Sequence, residues 1–365
     1  MRIHPRRATR AAAPHPPATR RPGRLPDTAT AAGAPRRLMA GTLAMLVALA
    51  GVGFGGGSAG AAQRRGPNHV EFRFHDARID ESSGMAASIR HPGIVYTLND
   101  SGDSARVFAV GPDGRSRAVL RLAGVTARDW EAVTVGRDER GRSWVYAADI
   151  GDNLGGAWSH VAVYRFAEPA RLKDATVHAT KFRLRYAAGA RNAEAAMINP
   201  RDGRLYVVSK EWNGGVYKAP AHLRAGRMNM LHRVGPAPAM ATDAAWAPDG
   251  SSFVIRTYFS AQFYDRVGHE VTTTFLPSQK QGESITYTRD GRSLLIGSEG
   301  RHSPVWRVPV PEKLRPTPTP EPRASGRRGD AASGDGTTGH SALTGLVIAL
   351  AGAAVVVFVV RRRSR

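Results

Sequence analysis

Cysteine is absent from all 365 residues. That excludes disulfide bridges, thiolate metal sites and a cysteine nucleophile. Aromatic residues are sparse at 7%, and 30 Asp+Glu are outnumbered by 52 Lys+Arg. The formal charge of +22 invites a nucleic-acid reading, but the charge is unevenly placed. Residues 1–62 carry 9 basic and 1 acidic residue, residues 311–365 carry 9 and 4, and residues 63–310 carry 34 and 25. More than half of the excess lies in the ends, so the body is expected to have no nucleic-acid partner. Paired histidine spacings are also lacking. His75, His91, His160, His232, His269 and His302 are scattered, which argues against a histidine-built metal triad. The body holds no nucleophile elbow; GGSAG at 56–60 fits the pattern literally but has no strand before it.

The ends read as membrane-targeting signals. Leu38 to Val52 is an apolar run after Arg36 and Arg37, followed by small residues and Ala59-Gly60-Ala61. Basic, apolar, small is the order of a secretory signal peptide, with an uncleaved anchor as the alternative. Residues 341–360 are 20 uncharged residues followed by Arg361, Arg362, Arg363 and Arg365. That length spans a bilayer as a helix, and the arginines place the tail 361–365 in the cytoplasm. Residues 311–340 are rich in Pro, Thr, Gly and Ser and read as an extended stalk. The expected protein is a single-pass membrane protein and a monomer, with its body, 63–310, facing outward.

The body repeats itself. An acid, then Ala or Ser, a short apolar run, a turn and a second strand-like run recur at Glu81, Glu131, Glu194, Asp243 and Glu283, at intervals of 50, 63, 49 and 40 residues. The second runs centre on Tyr96, Tyr146, Tyr206, Val254 and Leu295, and two more short alternating runs follow in each of the first four units. Asp202-Gly203, Asp249-Gly250 and Asp290-Gly291 supply hairpin turns. Four strands per unit is the arithmetic of a β-propeller. The fifth unit lacks a fourth strand, while one orphan run, His69–Ile79, precedes the first. The expectation is an all-β, five-bladed propeller closed by that N-terminal strand. Six blades, or an open β-sandwich, are the alternatives.

In such a ring the recurring acids start the innermost strands and meet the ends of the second strands at one polar end. Asp100, Asp149, Asp152, Lys210, Arg256, Tyr258 and Glu299 fall there by sequence, with Asp103 and Asn153 close by. Unpaired carboxylates around one axis would repel. Ca²⁺ held by Glu81, Asp100, Glu131, Asp149, Asp152, Glu194, Asp243, Glu283 and Glu299 is one solution. A salt-bridge ring with Lys210 and Arg256, or acids bonding the backbone N–H groups of neighbouring units, is the other. Trp130 is expected to pack between units.

The phrases NDSG at 99–102, DWEA at 129–132, DIGDN at 149–153, NAEA at 192–195, RTY at 256–258 and QGES at 281–284 resemble a family of secreted or membrane-anchored bacterial β-propellers over residues 69–310. More loosely the body is similar to phytase-like esterase and gluconolactonase-type propellers. That resemblance implies an axial, calcium-bearing site, carried over only at Glu81, which matches the early Glu of the gluconolactonase pattern. Three functions are expected in turn. The first is a tethered propeller binding an extracellular ligand or partner through its polar end. The second is a Ca²⁺-dependent hydrolase of phosphate or carboxylic esters, with Glu131 or Glu283 catalytic and Lys210, Arg256 and Tyr258 on the substrate. The third is a binder of an anionic cell-wall component.

Overall fold

A computed structural model describes residues 66–100 and 102–316. The expected signal peptide, the membrane helix and most of the stalk lie outside the described residues. Among the described residues no helix is long and apolar enough to cross a membrane.

The architecture is all-β and propeller-like. The chain opens with β1 (His69–Arg73), and β2 (Ser82–Ala87), β3 (Val95–Asn99), β4 (Arg106–Val110) and β5 (Ser116–Leu122) then form an antiparallel meander. β6 (Trp130–Arg137), β7 (Ser143–Asp149) and β8 (Val161–Ala167) follow. The short β9 (Ala175–Val177) leaves to pair in parallel with β5 before β10 (Thr180–Tyr186) returns to β8. Next come β11 (Ala193–Ile198), β12 (Leu205–Ser209), β13 (Gly215–Lys218) and β14 (Met228–Pro236), then β15 (Ala241–Trp246), β16 (Phe253–Thr257), β17 (Ser260–Arg266) and β18 (His269–Phe275). The last strands are β19 (Gly282–Tyr287), β20 (Ser293–Ser298) and β21 (Pro304–Pro309).

β1 pairs antiparallel with β21, in the sheet order β1-β21-β20-β19. That pairing covers what would otherwise be an open edge. The orphan run is shorter than its sequence suggests, ending as a strand at Arg73. β9 has no counterpart in the sequence reading. A parallel pair between β10 and β14 also joins two four-stranded halves into one eight-stranded sheet.

The first strands β2, β6, β11, β15 and β19 pack each against the next, and β19 packs back against β2. Five hydrophobic clusters fill the spaces between successive sheets, including one where β1, β20 and β21 meet the first meander. Trp130 is 1% exposed in the first of them, beside Tyr164, and so packs as expected.

Small residues dominate the first strands because neighbouring backbones approach closely there. The sequences SSGMAA, AEAAMI and ATDAAW of β2, β11 and β15 are almost wholly buried. A Cβ on Gly84 would lie 2.6 Å from the Val133 nitrogen and 2.7 Å from the Ala132 Cα, both backbone atoms of β6. Gly84→Val is therefore expected to cost about 3 kcal/mol through overpacking, read as a lower urea midpoint with an unchanged slope. A midpoint equal to wild type would mean that β2 and β6 do not approach this closely. At the far ends of these strands, Gly203, Gly250 and Gly291 hold φ of 66°, 68° and 67° in the Asp-Gly turns, the left-handed conformation that glycine adopts without strain.

Candidate functional site

Each first strand begins with a β-bulge. The ladder shifts register between Ser82 and Gly84, Trp130 and Ala132, Ala193 and Ala195, Ala241 and Asp243, and Gly282 and Ile285. A bulge inserts one unpaired residue and re-aims its side chain. The residues so placed are Ser83, Glu131, Glu194, Thr242 and Glu283. This corrects the register inferred from sequence. Glu131, Glu194 and Glu283 are equivalent, but the equivalents in the other two units are Ser83 and Thr242. Glu81 lies two residues early and Asp243 one residue late, and the difference decides what each does.

Asp243 is 1% exposed and serves the backbone. Its Oδ2 accepts from Ile285 N–H at 2.8 Å and Met85 N–H at 3.4 Å, and its Oδ1 from Ala244 N–H at 2.8 Å. One carboxylate thus ties β15 to both β19 and β2. Glu81 is exposed at the rim. Its carboxyl is raised by partial burial and by neighbouring Asp80 and Asp103.

The other three acids are buried together. Glu131, Glu194 and Glu283 are 1%, 4% and 2% exposed. The Lys210 Nζ lies 2.6 Å from Glu194 Oε1 and 5.2 Å from the centre of the half-buried Tyr258 ring. Burial pulls the Lys210 ammonium down, but Glu194 and Glu283 outweigh it and hold the group charged. Burial pushes Glu194 up to about 8 and raises Glu283 as well. Glu283 accepts from Gln281 Nε2 at 3.2 Å, while its buried Oε2 has no hydrogen-bond partner.

Glu131 stands apart from Lys210's direct contact. Ser83 Oγ donates to the Glu131 carbonyl at 2.7 Å and lies 3.2 Å from its Oε2, but the buried Oε1 has no partner. One carboxylate oxygen from each of Asp100, Asp129 and Glu131 lies within 4.8 Å of the others. Burial raises Glu131 well above the ordinary carboxylate range, and Glu194, Asp100 and Asp129 add to it. Asp129 is raised by burial too. Gly151 packs against this group: a Cβ there would fall 2.5 Å from the Asp129 carboxyl carbon. Three hard oxygen donors, one of them an orphaned buried atom, fit a divalent cation such as Ca²⁺.

The remaining expected ligands hold loops. Asp149 Oδ1 accepts from Asp129 N–H at 3.0 Å and faces Arg128 Nε at 3.6 Å. Asp152 accepts from the Ala157 and Trp158 N–H groups, both at 3.1 Å, and Asp103 is bonded by Asn99, Ser104 and Arg106. Asn153 accepts from Asn192 at 3.0 Å. Arg256 is 0% exposed, with its guanidinium donating to Ser284 O at 2.6 Å, Gly297 O at 2.9 Å and Gln279 Oε1 at 2.5 Å. It is a buried structural cation, out of reach of a ligand. Glu299 is half-buried beside the cluster and raised to about 7, by burial and then by Glu283, Asp100 and Glu81. Asp129 was the residue missed. Its signal is the closeness of two acids in DWE at a strand start, with the bulge at Glu131 bringing their carboxylates together.

Exposed apolar side chains gather at this same end. Leu154, Trp212 and Phe259 sit in the loops after β7, β12 and β16, and Phe275 lies opposite Ser260 at the start of β17. They are 71%, 86%, 77% and 82% exposed, the four most exposed large hydrophobics among the described residues.

No protein-family model and no curated protein matches the chain. A solved gluconolactonase structure from Xanthomonas campestris is similar at 14% identity and a TM-score of 0.36, over 64% of this chain and 86% of that one. Likeness at that level assigns neither activity nor site residues.

Proposed function

We propose that the chain is a five-bladed β-propeller, tethered outside the cell by its C-terminal segment, that binds an extracellular ligand at its acidic end through a resident Ca²⁺. The blade count is supported by the closed cycle of first strands and by the five inter-sheet clusters. The observation that carries the binding site is the Glu131 Oε1: a buried carboxylate oxygen with no partner, grouped with Asp100 and Asp129. A buried acceptor left unmade is costly, and a cation removes that cost. Asp100, Asp129 and Glu131 would hold the ion. Ca²⁺ takes about 6–8 oxygen ligands, so three carboxylates leave coordination positions for ligand oxygens. When bound, the ion would supply positive charge to an oxygen-rich ligand, while Lys210 and Tyr258 orient it and Trp212 and Phe259 cover its apolar parts.

Calorimetry on the chelator-treated full-length chain tests this. Calcium at about 100 times its Kd should stabilise the fold by ~2.7 kcal/mol, a rise of roughly 5–10 °C in melting temperature for a domain of this size. Glu131→Gln should lose both the heat and the rise. An absence of heat in the wild type would remove the proposal.

Hydrolysis is the second reading, favoured by the partnerless Oε2 of Glu283 beside Lys210. Its raised carboxyl could take a proton in ester cleavage. Calcium-dependent turnover of phosphomonoesters or lactones, lost in Glu283→Gln with calcium binding intact, would favour hydrolysis over binding alone.

A further inference from the structure

The first strands have a second end, and it holds a cavity of about 370 Å³. Every one of the five contributes from its C-terminal part: Ala87 of β2, Val135 of β6, Ile198 of β11, Trp246 of β15 and Thr286 of β19 all line it. The carboxylate cluster belongs to the opposite ends of the same strands, so the two sites share a scaffold but no residue. The volume falls within the range of small-molecule sites, about 300–1,000 Å³.

Three features describe what the cavity accepts. Its lining residues are mostly apolar or small, and the half-buried Trp246 indole lies tilted against Tyr206 and Phe253, with ring centres 5.9 Å and 4.8 Å away. The charged residues that line it are both arginines, Arg137 and Arg289, and no carboxylate lines it. Arg137 Nη1 donates to the Gly141 carbonyl at 2.8 Å, leaving the rest of its fork available, and the exposed Arg289 side chain has no ion pair or hydrogen bond among the described residues. The acids of the neighbouring turns are engaged elsewhere: Asp138 with Arg142 and Trp144, Asp249 with Ser251, and Asp290 with Thr288 and Arg292. The first strands also pair on one side only, so part of their backbone N–H and C=O has no ladder partner.

We infer that this cavity is a second binding site, for a small amphipathic carboxylate. Its flat apolar body lies among the strand ends against Trp246, and its carboxylate is clasped at the mouth by Arg137 and Arg289. Guanidinium groups suit that task because their planar fork matches a carboxylate bidentately.

The test is titration of the full-length chain with 2-naphthylacetate and with its neutral amide, 2-naphthylacetamide, followed by calorimetry and tryptophan fluorescence. The acid should bind one to one and the amide at least ~10-fold more weakly, the scale of one charge-assisted contact. The Arg137→Ala/Arg289→Ala double variant should lose the same factor. Both side chains are exposed, so the fold should survive the change. Ala245→Phe, which places a ring in the cavity, should abolish binding. No saturable binding of the acid, equal affinity for the amide, unchanged affinity in the double variant, or full affinity in Ala245→Phe would each overturn the proposal. Calcium binding at the other end should be the same in all of these proteins, so the two proposals stand or fall separately.

Discussion

Asp243→Ala is expected to destabilise the fold by about 3–5 kcal/mol, because three buried backbone N–H groups lose their acceptor at once. Met85, Ala244 and Ile285 N–H would be stranded in the interior, each with a desolvation penalty of about 1–3 kcal/mol before relaxation. Arg256, pulled down to about 10 by its own burial, would also lose the negative charge of Asp243, which counters that effect. Asp243→Asn separates the two contributions. Its amide oxygen can still accept from Ile285 and Met85, but its NH₂ faces the Ala244 N–H as donor against donor. The expected loss for Asn is smaller, about 1–2 kcal/mol. Chemical denaturation of both variants checks the order. Equal stability in wild type and Asp243→Ala would show that β15 is not tied to β2 and β19 through this side chain.

The second large effect is on pH. Without metal, the melting temperature should fall steadily from about pH 5 to pH 8. Glu131, Glu194, Glu283 and Glu299 all have carboxyls raised by burial, Glu194 to about 8 and Glu299 to about 7. A raised carboxyl binds its proton more tightly in the folded state. Its contribution is full below the unfolded value and is lost as pH climbs through the folded one. Carboxyls shifted the other way, such as Asp76, held down by Arg78, and Asp138, held down to about 2 by Trp144 and Arg142 against its desolvation, complete their titration below this window. His160, lowered by burial, works in the opposite direction, but it is one group against several. Saturating calcium should flatten the slope, because the ion takes the place of the protons on Asp129 and Glu131. Glu131→Gln should flatten part of it without metal and melt higher than wild type at pH 8. A metal-free profile that rises from pH 5 to 8 would mean that these carboxylates are solvated, and the acidic site would fail with it.

The strand count was largely legible because half-buried strands alternate, and the alternation survives in runs such as HVAVYRF and TKFRLRY, which form β8 and β10. The Asp-Gly turns were equally plain, since only glycine takes their φ at no cost. β9 was not legible: Ala175–Val177 is three residues long and is held by pairing with β5 rather than by any pattern of its own. The acidic end was legible as a place but not in register. Aligning acid with acid put Glu81 and Asp243 on a par with Glu131. A bulge leaves no mark in composition, yet it shifts which residue reaches the centre, so Ser83 and Thr242 stand where acids were expected. Asp149 and Asp152 look like ligands by type, but the sequence does not show that nearby N–H groups already occupy them.

Because β1 runs antiparallel to β21, with His69 opposite Arg307 and Arg73 opposite Pro304, the body begins and finishes in one sheet, side by side. The order of the units along the chain is then a matter of where the backbone happens to be cut. A short linker from residue 310 to residue 68, with a new opening at the Asp202-Gly203 turn, would leave every strand pair in place. The same clasp also sets the molecule's mechanical weak point. Tension applied through the two ends would bear first on the β1–β21 bonds, before any load reached the carboxylates.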